Sequence, residues 1–212
     1  MEEFITIKDN KNCVLTEKKS KFIANLINVS SVEEAENKIK ELKKKYYDAR
    51  HNCFAYRVLE NESVIEKSSD DGEPSGTAGA PMLNILQRNN LCNVLIVVTR
   101  YFGGILLGTG GLVRAYSNSL IEAINQSEKV IQKMGIELLV ELEYNEFEKF
   151  KYYCRKNDIT IRNTNYLNNI TCNIELEEDK KNKLMEDYNT KSLNIIDIKF
   201  LDKKLIFKSI IK

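Results

Sequence analysis

The sequence predicts an α+β protein of two domains, the second a ferredoxin-like βαββαβ unit. Three observations predict it. Both prolines and eight of the nine glycines fall between Gly72 and Gly111, so shaped backbone is concentrated in one half of the chain. Beyond about Lys129 glycine and proline nearly vanish, while strand-like and helix-like segments follow one another in the order β, α, β, β, α, β. Each side of residues 127–133 also carries its own periodic apolar stripes, enough for its own core. The expected domains are therefore 1–130 and 134–212.

In the first half, "SVEEAENKIKELKKKYY" places Val32, Ala35, Ile39, Leu42 and Tyr46 at spacings of three and four, the stripe of an amphipathic helix. Ser31 and Glu34 form the capping box expected to start it. "HNCFAYRVLE" alternates: Phe54, Tyr56 and Val58 share one face while His51, Ala55 and Arg57 share the other, as in a half-buried strand. "VLIVVT", residues 94–99, is a continuous apolar run and a central strand. A second amphipathic helix begins near Leu112 and carries Tyr116, Leu120 and Ile124 inward, with Arg114, Asn118 and Glu122 outward.

In the second half, "IELLVELEY" reads as a strand and "EFEKFKYYCRKND" as a helix. "ITIRNTNYL" and "NITCNIELEE" pair as a hairpin, "DKKNKLMEDYNTKS" is a helix, and "LNIIDIKFLDKKLIFK" is the closing strand.

Composition excludes several function classes. With 32 basic and 31 acidic residues the formal charge is +1, so any nucleic-acid partner must be met by a local patch. Five widely spaced cysteines without a C-x-x-C pair signal neither a zinc site nor a disulfide framework, and fit a reducing cytoplasm. No apolar run reaches the roughly 20 residues of a membrane span, and "MEEFITIKDN" lacks the regions of a secretory leader. The expectation is a cytoplasmic protein without a membrane partner, metal or cofactor; nothing in the letters indicates an oligomeric state.

Sharper motifs fail or stay partial. No lysine follows any glycine as a Walker A loop requires, and Val113 replaces the third glycine of a dinucleotide fingerprint that Gly108 and Gly110 begin. Around Ser75 the letters are "EPSGT", not a nucleophile elbow, and His51 is the sole histidine. His51 is expected to be structural, and it lies about 20 Å from Arg57 on a regular strand. The generic reading is that Gly108, Gly110 and Gly111 open a helix whose backbone N–H groups suit an anion, with Arg100 and Arg114 beside them. A plain tight connection uses the same residues. Asp70, Asp71 and Glu73 form either a solvated turn with Asp71-Gly72 at its tip, the favoured reading, or a magnesium site. Tyr101 and Phe102 are able to stack nucleobases, although core packing is the expected fate of Phe102.

"DARHNCFAYR", "SDDGEPSGTAGAPMLNIL" and "VTRYFGGILLGTGGLVRAYSNSL" resemble the signature blocks of the YigZ/IMPACT family, and the last βαββαβ segment resembles the second domain of its bacterial members. The resemblance covers essentially the whole chain. It implies an N-terminal domain like domain 2 of ribosomal protein S5 and a C-terminal domain like the last domain of elongation factor G. Both folds recur in ribosomal proteins and translation factors, which implies contact with RNA or a ribosome-associated protein. Eukaryotic IMPACT proteins inhibit activation of the amino-acid-starvation kinase, a role tied to an RWD domain that is not expected here. A proline dipeptidase label given to some relatives needs a metal-ligand His and acidic pattern that this sequence lacks.

The expected function is translation-associated regulation through the glycine-rich surface. Arg57, Arg100 and Arg114 would make charged contacts beside Tyr101. Gly103, Gly104, Gly108, Gly110 and Gly111 would permit backbone approach, and the loop Asp70, Asp71, Gly72, Glu73, Pro74, Ser75, Gly76 and Thr77 would shape the edge next to His51. The alternative is a nucleotide-binding protein or enzyme, with magnesium on Asp70, Asp71 and Glu73 and phosphate on the "GTGG" helix start.

Overall fold

The computed structural model describes residues 3–61 and 63–209. In chain order its elements are β1 (Glu3–Ile7), β2 (Lys11–Glu17), β3 (Ser20–Asn28), α1 (Val32–Lys45), β4 (His51–Glu60), β5 (Ser63–Ser69), α2 (Gly79–Arg88), β6 (Val94–Tyr101), α3 (Gly108–Asn125), β7 (Lys129–Leu142), α4 (Phe147–Lys156), β8 (Thr160–Tyr166), β9 (Ile170–Glu177), α5 (Glu178–Asn189) and β10 (Asp197–Ser209). Two compact units divide the chain between residues 131 and 132, inside β7. The strands β1, β2, β3 and β5 and the helix α2 go beyond the elements expected from periodicity.

In the first unit the apolar run 94–99 becomes the middle of an antiparallel sheet in the order β2–β3–β6–β4–β5. A strand needs apolar side chains on both faces only if both are covered, and here helices cover both. Ala35, Ile39 and Leu42 of α1 cluster with Phe54, Tyr56, Leu95 and Val97. Met82 and Leu86 of α2, with Leu112, Tyr116 and Leu120 of α3, cluster with Phe22, Cys53, Ala55, Ile96 and Val98. The strand β4 is therefore buried on both faces, not half-buried as its alternation suggested, because Cys53 and Ala55 are small enough to admit α2 and α3.

Two local details differ from expectation for simple reasons. Ser31 Oγ accepts the Glu34 N–H at 3.0 Å, but the Glu34 carboxylate turns to Ser30, accepting from its N–H at 2.8 Å and its hydroxyl at 2.7 Å. These Ser30 bonds, the backbone one foremost, hold the Glu34 carboxyl below its ordinary range. The helix α3 starts at Gly108 rather than near Leu112, since the glycines themselves wind into its first turn.

In the second unit the strand order β10–β7–β9–β8, with α4 after the first strand and α5 after the third, is that of a ferredoxin-like βαββαβ domain. Ile136, Leu138, Val140 and Leu142 share a parity and meet Phe147, Phe150, Cys154 and Leu184 in one core with Ile170, Cys172, Ile174 and Leu176. The opposite parity carries an ionic lattice. Lys204 reaches Glu137 at 2.8 Å and Glu175 at 2.9 Å, Arg162 reaches Glu175 at 2.8 Å, and Glu177 meets Lys208 at 3.2 Å as well as Lys133.

Lys204 and Asn173 hold the Glu137 carboxyl below its ordinary 4.5. Burial acts to raise Glu177, yet Lys133 and Lys208 outweigh it and the carboxyl is lowered from 4.5. Groups whose folded pKa is depressed stabilise the fold fully above the unfolded pKa and lose that contribution as pH falls through the folded value. Denaturant titrations from neutral pH downward should show stability falling below about pH 4.5, and Glu137→Gln should flatten the acid limb of that profile.

Candidate nucleic-acid interface

Sheet register gathers the distinctive segments at one end of the first unit. Lys21 pairs with Tyr101, His51 with Arg100, and Phe54 with Ser69, so the turns at 18–19, 46–50, 70–78 and 102–107 leave the sheet together. Two of them serve different physical purposes.

The loop 70–78 is an internal brace. Glu73 N donates to Asp70 O at 2.9 Å across Asp71 and Gly72, whose φ values of 42° and 85° define a type I′ turn. Asp71-Gly72 is therefore the expected turn tip, but the turn is not the solvated one the letters suggested, because Asp70, Asp71 and Glu73 all bond to protein donors. Asp70 caps the next helix: Oδ1 accepts from Ala78 N at 2.9 Å and Gly79 N at 2.8 Å, and Oδ2 from Gly76 N at 2.8 Å. Burial works to raise its pKa, but the amides of Gly76, Gly79 and Ala78 outweigh this and hold it low. The Asp71 carboxylate accepts from Asn52 N at 2.7 Å and Lys43 Nζ at 2.6 Å. His51 Nδ1 lies 2.9 Å from Asp71 O, a bond that puts the proton on Nδ1. Thr77 donates through Oγ1 to Pro74 O at 2.6 Å, while Pro74, Ser75 and Gly76 stay exposed. A Cβ on Gly79 would sit 2.7 Å from Ser69 N, so glycine alone lets α2 begin against the end of β5.

Glu73 turns inward. Its Oε1 accepts from Arg100 Nη1 at 2.7 Å and Tyr116 Oη at 2.9 Å, and Glu73 and Arg100 are only 8% and 6% exposed. The Arg100 guanidinium lies between two rings, 5.5 Å from the centroid of Phe22 and 5.6 Å from that of Phe102. Its Nε has no hydrogen-bond partner among the described residues. Cys53 Sγ lies 2.9 Å from Asp70 O and 3.3 Å from Tyr116 Oη, and burial pushes its thiol up to about 12, so it stays protonated and unreactive.

These contacts correct the expectations for two arginines. Arg100 is not available to a partner's phosphates, because a buried carboxylate needs its charge. Arg57 is likewise engaged, with Nε on Glu66 at 2.6 Å and Nη1 on Leu91 O at 2.9 Å. Asp70, Asp71 and Glu73 each face different protein donors, so they share no common point for a magnesium ion.

The loop 102–107 is the exposed counterpart. Gly103 packs on the β2–β3 turn so closely that a Cβ would lie 2.0 Å from the Lys19 carbonyl carbon, and its N–H donates to Ser20 Oγ at 3.2 Å. Gly104 and Gly108, with positive φ, bracket Ile105, Leu106 and Leu107. Phe102, expected in the core, is 52% exposed, and Leu106 is 83% exposed. Tyr101 is half-buried and donates its hydroxyl to Asp48 at 2.7 Å. The first turn of α3 follows, with Gly108 and Gly110 exposed, Gly111 half-buried, and no side chain capping its N–H groups. Arg114 stands exposed one turn on, its Nη1 3.6 Å from where a Cβ on Gly110 would be. Leu15, Lys18, Leu107, Gly111, Arg114 and Asn118, with Glu17 and Ala115, line a cleft of about 130 Å³ there.

Sequence reasoning missed Lys18 and Lys19. Both are exposed, at a turn where both take positive φ. The adjacent K-K-S-K letters were the only signal, and ordinary surface lysines look the same.

Comparison with known proteins follows this division. The family model described as the Impact N-terminal domain matches residues 18–124, which contain both loops, and the one described as a domain of unknown function (DUF1949) matches residues 140–187. IMPACT family member YvyE of Bacillus subtilis (strain 168) is 38% identical over 186 residues, covering 88% of this chain and 85% of that protein. IMPACT family member YigZ of Escherichia coli (strain K12) is 37% identical over 150 residues, covering 70% and 74%. A solved structure described as a crystal structure of an hypothetical protein is 32% identical, with a TM-score of 0.63, over 95% of this chain and 97% of that one. The chain belongs to the IMPACT family.

Removing one partner of a buried ion pair leaves the other uncompensated, at a cost of about 3–5 kcal/mol. Arg100→Met should lower stability by that amount in thermal or denaturant unfolding. Adding Glu73→Leu should recover part of the loss, because no buried charge then remains. Equal stability of Arg100→Met and the parent would show the pair to be open to solvent.

Proposed function

We propose that this protein is a cytoplasmic translation-associated regulator that binds RNA through the loops at one end of its N-terminal sheet. The carrying observation is the state of the cations there. Lys18, Lys19, Lys21, Arg50 and Arg114 are exposed and form no ion pair among the described residues, in contrast to Arg57 and Arg100. Lys18 and Arg114 line a cleft with Gly111 at an uncapped helix start, whose N–H groups and dipole favour phosphate. Family membership supports the translation context, since the resemblance implies folds found in ribosomal proteins and translation factors. Among the described residues no helix is long and apolar enough to cross a membrane.

Binding of this kind is dominated by counterion release. Affinity for single-stranded RNA should fall with salt, by about 0.7 log unit per log unit of salt for each phosphate neutralised. Lys18→Ala, Lys19→Ala and Arg114→Ala should each weaken binding and reduce that slope, with melting temperatures unchanged. Filter binding over a salt series measures both. Variants that bind with the parent's affinity and slope would contradict the proposal, as would absence of binding by the parent at low salt.

A further inference from the structure

Phe102 is the feature of this surface that phosphate contact leaves unexplained. A large apolar ring beside a buried strand has a core available to it, yet Phe102 is 52% exposed. Its position is fixed on both sides. Arg100, held by Glu73, sits over one face of the ring, and Gly103 is pressed onto the backbone of Lys19 and Ser20 immediately after it. The exposed part of the ring is thus presented by a rigid support with little conformational freedom to lose on binding. Lys19 lies beside Gly103, whereas Lys21 shares the α1 side of the sheet with its register partner Tyr101. Of the acidic groups at this end, Glu73 is paired with Arg100, Asp48 accepts from the Tyr101 hydroxyl, and Glu17 lines the cleft beside Lys18 and Arg114.

We propose that Phe102 is a stacking platform for an unpaired nucleobase of single-stranded RNA, with Lys19 beside it taking a flanking phosphate. This rests on the RNA reading above and adds to it the form of RNA recognised. A fixed aromatic face beside a cation accepts any base, whereas a duplex keeps its bases stacked inside. Recognition should accordingly favour single strands with little sequence preference.

The sequence contains no tryptophan, so Phe102→Trp creates a single tryptophan at the platform, excited selectively over the tyrosines. A short oligoadenylate should quench its emission saturably, and a duplex of the same length should do so far less. Phe102→Ala should weaken single-strand binding about tenfold, with the melting temperature and the salt slope of the parent. Unchanged affinity in Phe102→Ala together with unquenched tryptophan in the RNA-bound protein would overturn the stacking role and leave the phosphate contacts standing. Failure of the parent to bind RNA at low salt would overturn both.

Discussion

A carboxylate inside a protein must be neutralised or paired, and Glu73 is paired with Arg100 and Tyr116 inside the first domain. That single contact joins the signature loop, the central strand β6 and the helix α3, which come from well-separated parts of the chain. Around it the loop's other two carboxylates and Thr77 find partners: Asp70 on the amides that start α2, Asp71 on Asn52 and Lys43, and Thr77 on Pro74. The loop's carboxylates and Thr77 are therefore explained by what they hold together. The same pair reaches the surface through Phe102, whose ring rests on the guanidinium that Glu73 fixes.

The two glycine-rich segments consequently divide the labour. Gly79 permits a close approach that lets the brace close, and Gly103 does the same where the exposed loop meets the β2–β3 turn. Between Gly104 and Gly108 the chain instead projects apolar side chains and then opens α3 without a capping side chain.

Much of the fold was legible because it obeys local rules. The stripe from Ala35 to Leu42, the apolar run at 94–99 and the alternating parity of 136–142 each encode a buried face directly. The site was legible in part. The turn at Asp71-Gly72 follows from residue type, and Arg114 follows from helical spacing. Arg100 and Phe102 were misplaced because their fates depend on tertiary neighbours: Glu73 lies 27 positions before Arg100, and nothing local distinguishes an arginine that pairs inward from one that meets solvent. Arg57 was misread for the same reason, its partners Glu66 and Leu91 being supplied by β5 and by the chain after α2. The strands before residue 30 were not anticipated, since their ladder partners lie far along the chain.

Hydrogen exchange measured with and without a short single-stranded RNA tests the central division most directly. In the free protein the amides of Asn52, Gly76, Ala78 and Gly79, each bonded to Asp70 or Asp71, should exchange slowly, while those of 104–109 exchange fast. RNA should slow exchange at 104–111 and at 18–19 and leave the brace as it was. A fast-exchanging 70–79 loop that becomes protected only when RNA is added, with 104–111 unaffected, would contradict the account.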